Sequence, residues 1–174
     1  MEFEFKLTYK LPDNQADADQ LMMRLGEEGC TDALVGLGVA GQVGLEFVRE
    51  ASTAEEAILS ALDDVKRALP GARLIEAGPD FVGLTDVAEL VGLSRQNLRK
   101  LWLNNEKTFP PPVHAGASSV WHLAQVLQFL GEKQYTFAHR VHDVARVTMK
   151  LNIARQKSLV SDGELKAMQR HVAF

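Results

Sequence analysis

The sequence has little of several features that define other classes of protein. Its 174 residues include one cysteine, Cys30, which excludes an internal disulfide and indicates a reducing compartment. No apolar run approaches the roughly 18 residues that a membrane span needs. The N-terminal MEFEFK has neither the basic nor the apolar part of a secretion signal. We therefore expect a cytoplasmic protein without membrane contact.

Patterns typical of a catalytic or metal site are also missing. No Ser-His-Asp arrangement, phosphate-binding loop or carboxylate pair stands out in the sequence. His139 and His142 are three residues apart, as some metal ligands are, but no cysteine lies nearby and no third ligand is evident. A solvent-exposed histidine pair is therefore expected. We predict that the protein is not an enzyme and has no cofactor or metal.

One short motif, GLGVAG at 36–41, matches the glycine pattern of dinucleotide-binding proteins. In those proteins the glycines open a helix whose N-terminus holds the pyrophosphate. Here the residues after Gly41 alternate between apolar and polar, which is typical of a strand. The motif therefore predicts a glycine-rich turn between two strands.

Acidic and basic residues are unevenly distributed. Residues 1–80 carry 16 acidic and seven basic side chains, and residues 81–131 carry three acidic and four basic ones. Residues 132–174 carry four acidic and eight basic side chains. This division predicts two modules, of which the second would bind any polyanionic partner and the acidic first would stay away from it.

Hydrophobic periodicity in residues 1–79 predicts the order β-α-β-β-α-β. Apolar residues alternate at positions 3, 5, 7 and 9, and they recur at helical spacing in 17–28 and in 53–69, where Ser52 or Thr53 caps the helix. DALVGLG, VGLEFVREA and ARLIEA are the other strands. The order is that of a ferredoxin-like α+β domain, a fold with many functions. We predict a role in assembly or sensing.

The next segment, LTDVAELVGLSRQNLRKLW at 84–102, has the residues of a helix-turn-helix unit. Ala88 is the small residue where the helices cross, Gly92 opens the turn and Ser94 caps the second helix. The apolar positions that lock the two helices together are Val87, Val91, Leu93, Leu98 and Leu101. The whole segment 81–105 is thus expected to form two short helices.

Outward-facing side chains of the second helix suit DNA recognition. Arginine can bond bidentately to guanine, glutamine and asparagine to adenine, and lysine and arginine to phosphate. Because the N-terminal residues of such a helix face the bases, the predicted base-reading residues are Arg95, Gln96 and Asn97. The predicted phosphate contacts are Arg99 and Lys100, with Thr85 and Ser94 adding hydrogen bonds near helix N-termini.

Three pieces in order, LTDVAELVGLSRQNLRKLW, FPPPV and VWHLAQVLQFL, resemble the winged helix-turn-helix of the MerR superfamily, especially AlpA-type and excisionase-like regulators. The resemblance covers about residues 81–131. It implies that Arg95 to Lys100 match the recognition helix, that 113–121 match the two-stranded wing and that Trp121 matches the family's buried aromatic residue. It also implies a transcriptional regulator that binds double-stranded DNA.

The wing departs from the family's pattern. In that family the wing usually carries arginine or lysine, whereas here it reads HAGASSVW, with His114 as its one candidate DNA contact. Val113 and His114 are expected to pair with Val120 and Trp121. Since affinity for DNA follows the number of neutralised phosphates, one copy of the chain is predicted to bind weakly.

Residues 132–158 are predicted to form one long helix. Its apolar stripe consists of Phe137, Val141, Val144, Thr148 and Leu151. Such a stripe packs on its own domain or, since two-fold DNA sites favour dimeric readers, forms a homodimer. The basic residues Arg140, Arg146, Lys150, Arg155 and Lys157 either approach phosphates or form a solvated face. SDGE at 161–164 predicts a capping box and a terminal helix.

These patterns predict a dimeric, sequence-specific DNA-binding regulator in three segments. Residues 1–79 would form the ferredoxin-like domain, 80–131 the winged helix-turn-helix and 132–174 a helical dimerisation element. Two alternatives stay open. The helix-turn-helix is a protein-interaction adaptor, or the function lies in 1–80 as a small-ligand sensor, an effector or partner-binding site, or a small enzyme.

Overall fold

The computed structural model describes residues 1–12 and 17–172 as a mixed α+β fold. Within this range the elements are β1 Glu2–Lys10, α1 Ala18–Glu27, β2 Ala33–Gly36, β3 Gln42–Glu50, α2 Ala54–Ala68, β4 Arg73–Gly78, β5 Phe81–Val82, α3 Leu84–Leu90, α4 Arg95–Asn104, β6 Trp121–His122, α5 Leu123–Glu132, α6 His139–Lys157 and α7 Asp162–Gln169. None of these helices is long and apolar enough to cross a membrane.

Four strands form an antiparallel sheet in the order β2-β3-β1-β4. The register places Phe5 opposite Phe47, and their rings stack with centroids 5.1 Å apart. The alternation seen in the sequence holds along β1, whose Phe3, Phe5, Leu7 and Tyr9 are buried in one core with residues of α1 and α2. The opposite sheet face carries exposed charged side chains.

Local sequence signals account for the ends of α2 and for the turn before β3. Thr53, rather than Ser52, caps α2, because its hydroxyl accepts a hydrogen bond from the Glu56 N–H at 3.1 Å. Gly41 has φ +73°, a conformation that favours glycine, and strand β3 follows it directly. The glycine motif is therefore a turn between strands, as predicted.

Part of the second module differs from the prediction. Phe81 and Val82 are not helical; they form β5, which pairs with β6 so that Val82 lies opposite Trp121. The expected hairpin is shorter than predicted: Val113 and His114 hydrogen-bond to Val120, whereas Trp121 pairs with Val82. A two-residue strand has no period, so its sequence gives no signal.

The long C-terminal helix also begins later than predicted. α6 starts at His139, because Gln134 adopts φ +64° and interrupts the helical path after α5. The predicted stripe faces the chain's own interior: Val144 belongs to the core beneath the sheet, while Phe137 and Val141 pack against the core of the second module. The stripe is therefore not a free dimer surface, which corrects the reason given for a homodimer. The capping box of Ser161 and Glu164 is confirmed.

A buried polar cluster joins the two modules. The Asn152 side chain exchanges two hydrogen bonds with the backbone of Ala77, at 2.9 and 2.8 Å, and its Nδ2 also donates to Asp80 Oδ2 at 2.7 Å. The other Asp80 oxygen lies 2.8 Å from His122 Nδ1. The Thr148 hydroxyl donates to the Pro79 carbonyl at 2.7 Å. The buried polar side chains of Asn152, Asp80 and Thr148 thus all have hydrogen-bond partners, and these bonds fix α6 to both modules.

Candidate nucleic-acid interface

A tight turn sets the angle between α3 and α4. Gly92 has φ +68°, and the Leu93 N–H donates to the Ala88 carbonyl at 2.8 Å while the Gly92 N–H donates to the Glu89 carbonyl. This pair of hydrogen bonds is the Schellman arrangement, which ends a helix at a left-handed glycine. The Ser94 hydroxyl then accepts from the Asn97 N–H at 3.1 Å and begins α4.

Helix α4 has one buried face and one polar face. Leu98 is fully buried, and Leu101 and Trp102 are half-buried against the core of the second module. All five predicted recognition residues are exposed: Arg95, Gln96, Asn97, Arg99 and Lys100. The segregation follows from helical spacing, since residues 98, 101 and 102 share one side of the helix. It leaves the polar side chains free for a partner.

A cleft of about 790 Å³ lies beside this polar face. Arg95, Gln96 and Arg99 line it on one side, and Thr85 lines it from the start of α3. The opposite wall is the loop 116–119, made of glycine, alanine and two serines. Small side chains in this wall let a ligand backbone approach closely. The structure thus brings together four of the eight predicted contacts.

The other four predicted residues lie outside this cleft. Asn97 and Lys100 are exposed on another part of the α4 surface. Ser94 is exposed at the N-cap, where its hydroxyl oxygen is engaged with the helix backbone. The His114 side chain lies over Gly116, where an added Cβ would meet its Nε2 at 2.9 Å. His114 is therefore packed against its own loop rather than directed into the cleft.

An aromatic group forms part of the cleft wall, which Trp102 and Trp121 line. The buried Trp121 ring meets the rings of Trp102 and Phe109 edge-on, with centroids 5.3 and 6.1 Å away. The Trp121 Nε1–H donates to the Pro110 carbonyl at 3.1 Å, so its polar atom is satisfied. This bond fixes the proline segment that leads into the loop. Trp121 is buried, as its resemblance to the family's aromatic residue implies.

One acidic residue, Asp86, also lines the cleft. Its Oδ2 accepts a hydrogen bond from the Gly83 N–H at 2.7 Å, so the carboxylate helps to begin α3. Because Gly83 has no side chain, only this half of a capping box is made. Asp86 lowers the positive charge of the cleft beside Arg95 and Arg99, a feature that the sequence alone does not locate.

The basic residues of α6 do not form a single surface. Arg140 donates from Nη1 to the Glu2 carbonyl at 3.2 Å, which ties α6 to β1. Arg146 and Lys150 line a hollow beside the start of α2, together with Glu55 and Asp143. Arg155 is half-buried. None of these basic residues of α6 lines the α4 cleft. The charged side chains that line it are therefore Arg95, Arg99 and Asp86.

The two histidines on α6 differ in their exposure to solvent. His139 is exposed, whereas His142 is half-buried with its ring 6.2 Å from that of Phe137. Burial, with Arg146 next in importance, lowers the pKa of His142 below its ordinary value. Within residues 1–12 and 17–172, no group of three or more His, Cys, Asp or Glu side chains is placed to hold a metal ion.

Comparison with known proteins adds no relative. No family model, no curated protein and no solved structure matches this chain. The residues and geometry of the cleft and of α4 are therefore what indicate a function. Fold alone would in any case not assign a function, because function depends on the chemistry of particular side chains.

Proposed function

We propose that the protein is a cytoplasmic, sequence-specific DNA-binding regulator that inserts α4 into the major groove. The observation that carries this proposal is the exposed row of Arg95, Gln96 and Arg99 beside Thr85, on a helix whose opposite face is locked by Leu98. These side chains offer guanidinium and amide donors of the types that read guanine and adenine edges and bind phosphate.

The arrangement around α4 is that of a winged helix-turn-helix. We assign α3 and α4 as its two helices, the loop between His114 and Val120 as the wing and α5 as the closing helix. Helix α4 has ten residues, and an α-helix with its side chains is about 10–12 Å in diameter, which suits entry into a groove about 12 Å wide. Arg95 and Gln96 stand in its first turn, where they meet the bases first.

For the first module we propose a ferredoxin-like fold. Its strand order β2-β3-β1-β4 and the placement of α1 and α2 on one sheet face support this assignment. The module is acidic, and electrostatic repulsion would keep it away from the duplex while α4 is bound. Its role in this proposal is to carry the C-terminal helices and to present a second surface.

A homodimer remains part of the proposal, with a different contact from the α6 stripe. Helix α7 has no buried residue, and four large apolar side chains in it or within three residues of it are exposed: Leu159, Val160, Met168 and Val172. A second copy would cover them and would supply a second α4. The two copies, each of which binds one half-site weakly, would then bind the two half-sites together. This avidity offsets the lack of basic residues in the wing.

DNA selection tests the binding proposal. The purified chain is mixed with a random duplex library at about 50 mM salt, a condition that favours phosphate contacts. The enriched duplex is then titrated by fluorescence anisotropy. We expect Arg95→Ala/Arg99→Ala to weaken binding about 100-fold, because two arginine contacts are lost. Arg24→Ala/Lys66→Ala removes the same charge from exposed sites in the first module and should change little.

Two results would contradict the proposal. If no duplex is enriched by a folded sample, the adaptor interpretation of the α4 face is favoured. If both double variants bind the selected duplex equally well, α4 is not the reading helix. Analytical ultracentrifugation separately tests the dimer: Leu159→Ser/Met168→Ser should shift the protein toward a monomer, and an unchanged dimer would exclude the α7 contact.

A further inference from the structure

A groove of about 680 Å³ lies on the exposed face of the sheet, where the two modules meet. Its floor is formed by β1, β2 and β3, with Leu34 and Val48 presented to solvent. Its wall is formed by the segment from Gly78 to Val82, with Leu90 at the end of α3 and Val141 at the start of α6. Both modules therefore contribute residues to one concave surface.

The groove offers apolar surface that the fold itself does not use. Leu34 is 71% exposed and Val48 is 51% exposed, although both stand on strands. Phe81, Leu90 and Val141 are half-buried along the wall. Apolar side chains that converge in a concave surface of this size are typical of small-molecule sites, which occupy about 300–1,000 Å³.

Four carboxylates and one amine line the same groove. Lys6 forms an ion pair with Glu46 at 2.8 Å, and both oxygens of Asp80 are engaged by His122 and Asn152. Glu4 and Glu76 remain. Neither of these two carboxylates has a hydrogen bond or ion pair with any other residue of 1–12 and 17–172.

Glu76 is the more constrained of the two. It stands on β4 and is half-buried, and burial, followed by the negative charge of Asp80, raises its pKa above the ordinary value. Arg155 and Lys6 act in the opposite direction but do not outweigh burial. A bound cation would offset the part of the burial cost that Arg155 and Lys6 leave uncompensated.

We propose that this groove binds a small amphipathic organic cation. Its apolar body would lie on Leu34, Val48 and the Phe81–Leu90 wall, and its ammonium group would meet the carboxylate of Glu76. Glu4, four positions along β1 from the Thr8 that pairs with Glu76, adds negative charge at another part of the groove. Glu4 and Glu76, the two groove carboxylates without a partner, favour a cationic ligand over a neutral or anionic one by charge complementarity. This inference goes beyond DNA binding and does not depend on it.

A matched pair of probes tests the charge requirement. 4-Phenylbutylamine carries an aromatic ring, a four-carbon chain and an ammonium group, and 4-phenylbutan-1-ol replaces that group with a neutral hydroxyl. The full-length protein is titrated with each compound, without DNA, and followed by two-dimensional amide NMR. For a ligand of this size we expect a Kd on the order of 1 mM for the amine. The alcohol should bind about tenfold more weakly.

Variants locate the site. Glu76→Gln should weaken binding of the amine about fivefold and should leave binding of the alcohol unchanged, because only the ammonium contact is lost. Glu27→Gln is the control, since Glu27 is exposed on α1, which packs on the opposite face of the sheet, and does not line the groove. Shifted amides should cluster at Leu34, Val48 and Phe81.

Three results would overturn the proposal. The first is the absence of saturable shifts for the amine up to about 10 mM, a limit tenfold above the expected Kd. The second is equal binding of amine and alcohol, which would show that charge is not recognised. The third is a cluster of shifted amides elsewhere, for example around Arg146 and Lys150. None of these results bears on the DNA-binding proposal, whose test contains no amine.

Discussion

Two concave surfaces in the described part of the chain, the α4 cleft and the sheet groove, differ in charge. The cleft beside α4 measures about 790 Å³ and is lined by Arg95 and Arg99. The groove on the sheet measures about 680 Å³ and is lined by Glu4, Glu46 and Glu76. Similar volumes with opposite electrostatics indicate different partners. A polyanion is favoured at the first surface and repelled at the second.

The same two regions are joined more tightly than their sequences suggest. α6 contributes Val144 and Val147 to the core under the sheet and Ala145 to the core of the second module. Asn152 then links β4 to Asp80 through buried hydrogen bonds. Differences in charge thus coexist with a shared interior, so the two modules should unfold together.

The largest expected effect comes from breaking this link. Asn152→Ala leaves the Ala77 backbone and one Asp80 oxygen without partners in a buried place, so we expect the free energy of unfolding to fall by about 3 kcal/mol. Ile153→Ala, at an exposed neighbouring position, should cost no more than about 0.5 kcal/mol. Urea denaturation followed by circular dichroism measures both. Separate transitions for the two modules in the unsubstituted protein would show that they are independent.

A smaller effect is expected at the turn that orients α4. Gly92→Ala forces a side chain into φ +68°, and since no atom lies within 4 Å of the new Cβ, the cost is backbone strain of about 1 kcal/mol. Gly163→Ala, in α7 and equally open, should be neutral or stabilising by about 0.5 kcal/mol. Thermal unfolding compares the pair. Equal effects would mean that the turn is not strained by a side chain.

The smallest effect concerns the groove. Because the pKa of Glu76 is raised in the folded state, its ionised form is disfavoured by folding, and this penalty exists at pH values above the unfolded pKa. Glu76→Gln should therefore stabilise the protein slightly at pH 7, by no more than about 0.5 kcal/mol after solvent screening. The gain should disappear as the pH falls below the range in which the carboxylate ionises. A destabilised variant at pH 7 would instead indicate a stabilising partner for Glu76.

Long periodic segments explain why much of the fold was predictable. β1 and α2 carry nine and 15 residues of clear period, and their buried residues follow from the pattern. β5 has two residues, and its pairing with β6 depends on a partner about 40 positions away. The stripe on α6 shows that one face is buried but not what buries it, so its two-module contact was not predictable from the sequence.

The candidate site was predictable to a similar degree. The exposure of Arg95, Gln96 and Arg99 follows from the spacing around Leu98. Their separation from Asn97 and Lys100 depends on where the loop 116–119 lies, and no local pattern specifies that position. The role of Asn152 was not predictable from the sequence either. A polar residue on a long helix is usually solvated, and the partners of Asn152 come from distant parts of the chain.

The salt dependence of DNA affinity is the sharpest test of DNA binding by α4. Each phosphate that the protein neutralises releases condensed counterions, so the steepness with which affinity falls as salt rises reports the number of phosphate contacts. If α4 binds DNA, affinity for the selected duplex falls steeply between about 50 and 200 mM salt. We also expect Arg99→Ala to reduce the steepness by about one phosphate contact per copy, whereas Glu4→Gln should not. An affinity independent of salt, or a slope unchanged by Arg99→Ala, would contradict DNA binding by α4.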